Sequence, residues 1–325
     1  MSVATNPIAA RRGTSPGPTG PTGGRSLDLS GGHRSLSERL IGVALFVCAA
    51  VSVVTTIGII VVLFEQAFQF FRRVPMTDFL FGRTWTALFN DPRFGVLPLV
   101  GGTLWITLIA LVMALPVGLM SAVYLSEYAD HRVRDVVKPA LELLAGVPTI
   151  VYGFFAVTFI RPELLRPIFP SIGPFSALSA GLAVGVLIIP LVASLSEDAM
   201  RAVPRSLREG GYAMGATKHE VSWQVVMPAA FSGIVASFIL AGSRAIGETM
   251  IVALAAGSKA QLVANPLEPM QTMTGFIVQV FSGDVAFGST PYLSLFAVGL
   301  LLFAITLVLN LFSQWVVTKF REVYE

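Results

Sequence analysis

The sequence predicts an all-α integral membrane protein built from six transmembrane helices. Of its 325 residues, 54% are hydrophobic and only 13% are charged, where a soluble domain carries about a quarter. Six apolar runs are each long enough to cross a hydrocarbon core, which takes about 20 residues. Lys and Arg also fall unevenly on alternate connections between those runs.

Residues 1–38 contain Arg11, Arg12, Arg25 and Arg34 and a stretch rich in Gly, Pro, Ser and Thr. Such a segment buries too little apolar surface to offset its ordering entropy and is expected to be a disordered cytoplasmic tail. It holds no apolar core of the kind a cleavable signal needs. Residues 39–325 are expected to form the membrane domain. Four runs lack Asp, Glu, Lys and Arg altogether: Leu40–Phe64, Leu97–Ser126, Phe175–Leu195 and Pro291–Thr318. Two more carry charge: Ala140–Ile160 holds Glu142, and Ala229–Ser258 holds Arg244 and Glu248. Pro98 and Pro116 suggest that the second span is trimmed or kinked. With the N-terminus inside, inner segments hold 14 Lys and Arg and outer segments 7. That bias places both termini in the cytoplasm. The two long outer connections, 65–96 and 259–290, are rich in Pro, Gly and aromatics, which makes short interfacial helices plausible there. No internal repeat is apparent, and Cys48 is the only cysteine.

The loop 196–228 is the longest inner connection and reads as helix, turn, helix. Pro204 suits a first helical position. Gly215 suits a turn through positive φ. Thr217 followed by Glu220 forms a capping box for the second helix. Glu209, Gly215 six residues on, Val225 ten beyond that, and Met227-Pro228 stand at fixed offsets. This pattern resembles the coupling signature of ABC importer permeases. It departs from it in having Gly210 and Gly211 where the family has two alanines, at roughly 1 kcal/mol per Gly in a helix. The resemblance implies a type I importer permease whose coupling loop, through Glu209, Gly210, Gly211, Gly215 and Pro228, docks on an ATP-hydrolysing subunit. The chain has no phosphate-binding G-x-x-x-x-G-K-[ST] loop of its own. ATP and Mg would therefore be bound by the partner ATPase, and no cofactor by this chain.

Arg244 and Glu248 lie deep in the fifth run, where a charge costs about 2.5–3.5 kcal/mol on insertion scales. Their spacing of four would stack them on one face of a continuous helix. A guanidinium fork matches phosphate geometry, and a carboxylate can accept a hydrogen bond from a protonated phosphate oxygen. The pair is thus the candidate substrate-translocation site, against the plainer reading of two charges that neutralise each other. The run Arg244-Ala-Ile-Gly-Glu248-Thr resembles the signature of phosphate-specific ABC permeases, and Met250 after Thr249 resembles the PstC-type member of the pair. Gly146-Val-Pro148-Thr-Ile-Val-Tyr152-Gly153 is similar to a second segment of that family, with Pro148 kinking the third span.

That resemblance, which covers roughly Leu97 to the C-terminus, implies an importer of inorganic phosphate in a bacterial inner membrane. It also implies a second related permease, two ATP-binding subunits and an extracytoplasmic phosphate-binding protein. An ABC permease for sulfate or molybdate is the nearest alternative, because the coupling loop is common to all of them. A secondary transporter is less favoured, given the long coupling loop and the missing repeat. No nucleophile–base set marks a catalytic site. His33, His131 and His219 share no metal-ligand spacing. Glu142 reads as a headgroup-level carboxylate, and Tyr152 and Trp105 as packing or belt aromatics.

Overall fold

The computed structural model describes residues 36–320. The expected tail, 1–38, therefore lies almost wholly outside the described residues. Helices account for the architecture, and the described residues contain one isolated bridge, Trp85 to Phe94, in place of a sheet. The chain divides into two units after Thr56, within helix α1 (Leu36–Phe71). In the first unit, the apolar side chains of α1, Leu40, Phe46 and Val54 among them, are exposed, as suits a helix with lipid for solvent.

The second unit begins at Ile57 and holds everything else. Its centre is the pair α3 (Leu97–Val123) and α6 (Ala177–Arg201), which pack on each other more extensively than any other two helices. Small residues permit the close approach. A Cβ on Gly118 would stand 2.7 Å from Val192, and one on Gly181 would stand 2.7 Å from Ile109. Without a hydrophobic drive between helices in lipid, van der Waals packing of this kind carries the association. Ala110, Ala114, Ala180, Ala183, Val184 and Ile188 are fully buried between them.

The apolar runs and the helices coincide in part. Four helices are long and apolar enough to cross a membrane: Glu38–Phe71, Leu97–Tyr128, Ala177–Arg201 and Thr290–Lys319. No kink is needed at Pro116, since α3 runs through it to Val123 and ends in a π-helical turn, Tyr124–Tyr128. The third run is a broken pair. Helix α4 (His131–Ala145) and helix α5 (Thr149–Phe155, extended by π-helical turns to Leu165) meet at 89°. Pro148 lies at the corner; it lacks an N–H and biases Val147 away from the helical region. The Tyr152 hydroxyl donates to the Leu144 carbonyl across the bend at 2.8 Å, so this tyrosine is a packing residue.

The two long connections, 65–96 and 259–290, fold on each other. The first contains α2 (Met76–Phe81), and the second contains an amphipathic helix of ten residues, Met273–Ser282. Phe70, Phe79, Trp85, Phe94, Val96, Met273, Phe276 and Leu293 form one buried cluster. The Trp85 and Phe276 rings meet edge to face, with centroids 4.8 Å apart, a geometry that aromatic quadrupoles favour.

Candidate functional site

The 196–228 loop consists of α7 (Arg205–Ala213), a turn, and α8 (Lys218–Val221), which continues through a π-helical turn into the single turn α9 (Met227–Ala229). Pro204 precedes α7 in an extended conformation instead of opening the helix. Gly211 is buried, and a Cβ there would stand 3.0 Å from Val221, whereas a Cβ on Gly210 would meet nothing within 4 Å. The chain turns at Gly215, whose φ of +85° is the left-handed conformation that glycine adopts without a Cβ clash. Thr217 and Glu220 form the capping box in full: Thr217 N–H donates to Glu220 at 2.7 Å, and Glu220 N–H donates to Thr217 Oγ1 at 3.3 Å. The Thr217 N–H, and then its hydroxyl, hold the Glu220 carboxyl below its ordinary value of 4.5.

The inner side of this loop packs on the bundle through Val221 and Val226 against Ala122, Met200 and Val203. Its outer side exposes Glu209 together with Tyr212, Met214 and Trp223, Met214 being 86% exposed. Arg208 points inward, donating to the carbonyls of Met200 (2.8 Å) and Val203 (2.7 Å) and to the nearly buried carboxylate of Glu127 (2.9 Å).

A second carboxylate cluster, which the sequence reading did not single out, lies alongside. Glu197, in the last turns of α6, is fully buried and accepts from Arg134 (2.8 Å) and Lys138 (2.7 Å) of α4, with Arg201 at 3.8 Å. Lys138 also pairs with Asp198. A buried carboxylate is tolerable only when its oxygens are satisfied in this way. The available signal was a Glu-Asp pair at the end of an apolar run, matched by Arg134 and Lys138 on the preceding inner connection.

The fifth run does not form one helix. Helix α10 (Phe231–Ile246) leaves the preceding segment at 71°, ends at Gly247, and is followed after Thr249 by α11 (Met250–Ala255). Arg244 and Glu248 therefore do not stack on a common helical face, and they form no ion pair. Glu248 Oε1 instead accepts the N–H groups of Met250 (3.2 Å) and Ile251 (3.4 Å), the unpaired first donors of α11. Its carbonyl accepts from the Thr274 hydroxyl at 2.7 Å, and Met273 N–H donates to Thr103 on α3 at 3.1 Å. The break is thus fixed from the outer connection and from α3 together.

Arg244 lies thirteen residues along α10 from Phe231, or about 20 Å at 1.5 Å per residue. It is exposed and makes no hydrogen bond or ion pair among the described residues. The neighbouring Ser243 hydroxyl donates to Asn310 of the long C-terminal helix, Thr290–Phe320 (3.2 Å). Behind the break, a Cβ on Gly153 of α5 would stand 2.8 Å from Leu254 of α11. Glu142 is exposed.

Residues 114–322 match the family model described as the inner membrane component of binding-protein-dependent transport systems. Among curated proteins, the chain is 31% identical to a probable ABC transporter permease protein, YqgH, of Bacillus subtilis, covering 88% of this chain and 93% of that one. It is 32% identical to the phosphate transport system permease protein PstC of Xylella fastidiosa, over 70% and 75% of the two chains. A probable PstC of Methanocaldococcus jannaschii is 29% identical over 78% and 87%. Among solved structures, an inward-facing MetNI methionine ABC transporter superposes with a TM-score of 0.53 at 19% identity, over 70% of this chain and 95% of that one. At that identity the likeness shows fold alone, and the fold is that of an importer permease. The chain belongs to the family of inner-membrane permease components of binding-protein-dependent ABC importers, and it is a transport subunit rather than an enzyme.

Proposed function

We propose that this permease carries inorganic phosphate, and that Arg244 meets the ion in the translocation path. The observation that carries the reading is a guanidinium some 20 Å along an apolar helix with no counter-charge among the described residues. An arginine this far along an apolar helix is costly where it meets lipid, so the exposed Arg244 faces water, a second permease or an anion. A planar fork with five donors suits a tetrahedral oxyanion. Glu248 supports the path indirectly by capping α11; its second oxygen, Oε2, takes no hydrogen bond among the described residues and can accept from a protonated phosphate. Relatives named as phosphate transport permeases support the choice of solute.

In this proposal the chain pairs with a second, related permease. Two ATP-binding subunits carry ATP and Mg, and a phosphate-binding protein delivers the ion from outside. The Glu209 face of α7, with Tyr212, Met214 and Trp223, is the coupling surface for the ATPase. Gly210 and Gly211 lie within its first helix, Gly215 forms its turn, and Pro228 lies where the loop rejoins the membrane. Both termini lie in the cytoplasm.

The test is ATP-driven uptake of labelled phosphate, sulfate and molybdate into vesicles holding the whole importer. Phosphate should accumulate, Arg244→Gln should abolish uptake with the complex assembled, and Arg244→Lys should restore little. Accumulation of sulfate or molybdate without phosphate would overturn the assignment of solute.

A further inference from the structure

A cavity of about 290 Å³ opens where the π-helical end of α3, the start of α4, the end of α6 and the start of α7 converge. Arg134, Arg201, Arg205 and Arg208 line it, together with His131 and Glu127. Four guanidinium groups here face two carboxylates, Glu127 in the wall and Glu197 behind Arg134 and Arg201. Lys138 and Asp198, farther along the cluster, offset each other. Among these groups two positive charges are left uncompensated, and the exposed Asp130, Arg132 and Asp135 nearby lie outside the lining.

Much of the donor capacity is also unspent. Arg134 engages Glu197 through Nε alone, leaving both terminal nitrogens free of hydrogen bonds. Arg201 approaches Glu197 no closer than 3.8 Å. Arg205 and His131 make no hydrogen bond or ion pair among the described residues. The fifteen-residue helix α4 begins at His131, and the Asp130 side chain does not cap it, so its positive end and unpaired N–H groups belong to the same wall. Arg208, by contrast, spends its donors on Glu127, Met200 and Val203 and fixes α7 against α6.

We propose that this cavity is an oxyanion site that binds a phosphate group, either free inorganic phosphate or the headgroup of an anionic phospholipid. Both present several acceptor oxygens to forked donors. Basic pockets between helices at a membrane face suit headgroups as well as free ions. The occupant ties α7 to α4 and α6, so it restrains the loop through which the ATPase is proposed to act. The site does not depend on phosphate being the transported solute, and the two assignments fail separately.

The experiment uses the full chain in nanodiscs and reads amide hydrogen exchange over 125–134 and 201–208. In discs of phosphatidylcholine, inorganic phosphate at millimolar concentration should slow exchange in both segments several-fold, and chloride at equal ionic strength should not. The Arg201→Gln/Arg205→Gln variant should lose that protection. Arg205 makes no ion pair among the described residues, so Arg205→Gln alone should keep the wild-type melting temperature and still weaken the protection, and His131→Asn gives a second, milder loss. Protection that appears only in discs containing phosphatidylglycerol, without free phosphate and still dependent on Arg201 and Arg205, assigns the occupant as lipid. Equal protection by chloride, protection that survives the double variant, or none in either disc would overturn the site.

Discussion

Replacing Glu248 separates a capping carboxylate from half of an ion pair. Its Oε1 serves two backbone N–H groups at the start of α11, one of them on the fully buried Ile251. Glu248→Ala leaves both donors without an acceptor, at about 1 kcal/mol each, so the variant should lose about 2 kcal/mol. Glu248→Gln keeps an acceptor oxygen and should lose less than about 1 kcal/mol on the same scale. Arg244 has no hydrogen-bond or ion-pair partner among the described residues, so Arg244→Gln should change stability by no more than about 0.5 kcal/mol. Combined, the two glutamine substitutions should add to within about 0.5 kcal/mol, as expected for residues that share no partner. Unfolding in mixed detergent micelles, followed by circular dichroism, measures all four variants against the wild type. If the two residues formed a buried pair, Arg244→Gln alone would cost about 3–5 kcal/mol and the double variant would recover much of it. A coupling above about 1 kcal/mol would refute the capping role and the independence of Arg244.

Three further outcomes are expected. Gly210→Ala places its methyl in open space on α7 and should stabilise the protein by up to about 1 kcal/mol, whereas Gly215→Ala at φ +85° should destabilise it by about 1 kcal/mol; paired melting curves check both signs. Glu197→Gln leaves Arg134 and Lys138 facing a neutral group and should cost about 2–4 kcal/mol, tempered by their partial exposure, and a double-mutant cycle with Lys138→Met should recover part of it. For the proposed orientation, Cys48 is first replaced; cysteines at the exposed positions Asp78 and Asp284 should then react with an impermeant thiol reagent from outside cells, and one at Ser206 only after lysis. Labelling of Ser206 from outside would reverse both the orientation and the proposed coupling surface.

The long apolar helices were legible because composition alone places them: α3, α6 and the C-terminal helix lie within a few residues of the charge-free runs. The inner loop was equally legible, since Gly215, Thr217 and Glu220 act through local backbone chemistry that short spacings encode. The fifth run misled for the opposite reason. Reading Arg244 and Glu248 at a spacing of four assumes an unbroken helix, and the Gly-Glu-Thr sequence ends one. The carboxylate then finds backbone donors two and three residues ahead instead of the guanidinium behind. Glu197 could not be found locally at all, because its partners Arg134 and Lys138 are about 60 residues away in the chain and only the packing of α4 on α6 brings them together.

The outer aromatic cluster also sets the order in which this chain can finish folding. Trp85 meets Phe276 across 191 positions of sequence, which a ribosome working at about 5–20 residues per second takes roughly 10–40 s to traverse. Until the second long connection emerges, Phe70, Phe71, Phe79, Phe94 and Trp85 have only one another for edge-to-face contact. Met273 and Phe276, and then Leu293 at the start of the C-terminal helix, complete the cluster, so its closure reports that the fifth run and the start of the sixth have emerged. Substitutions in the cluster should therefore show first as chains degraded during biogenesis, before any loss of transport by the chains that survive.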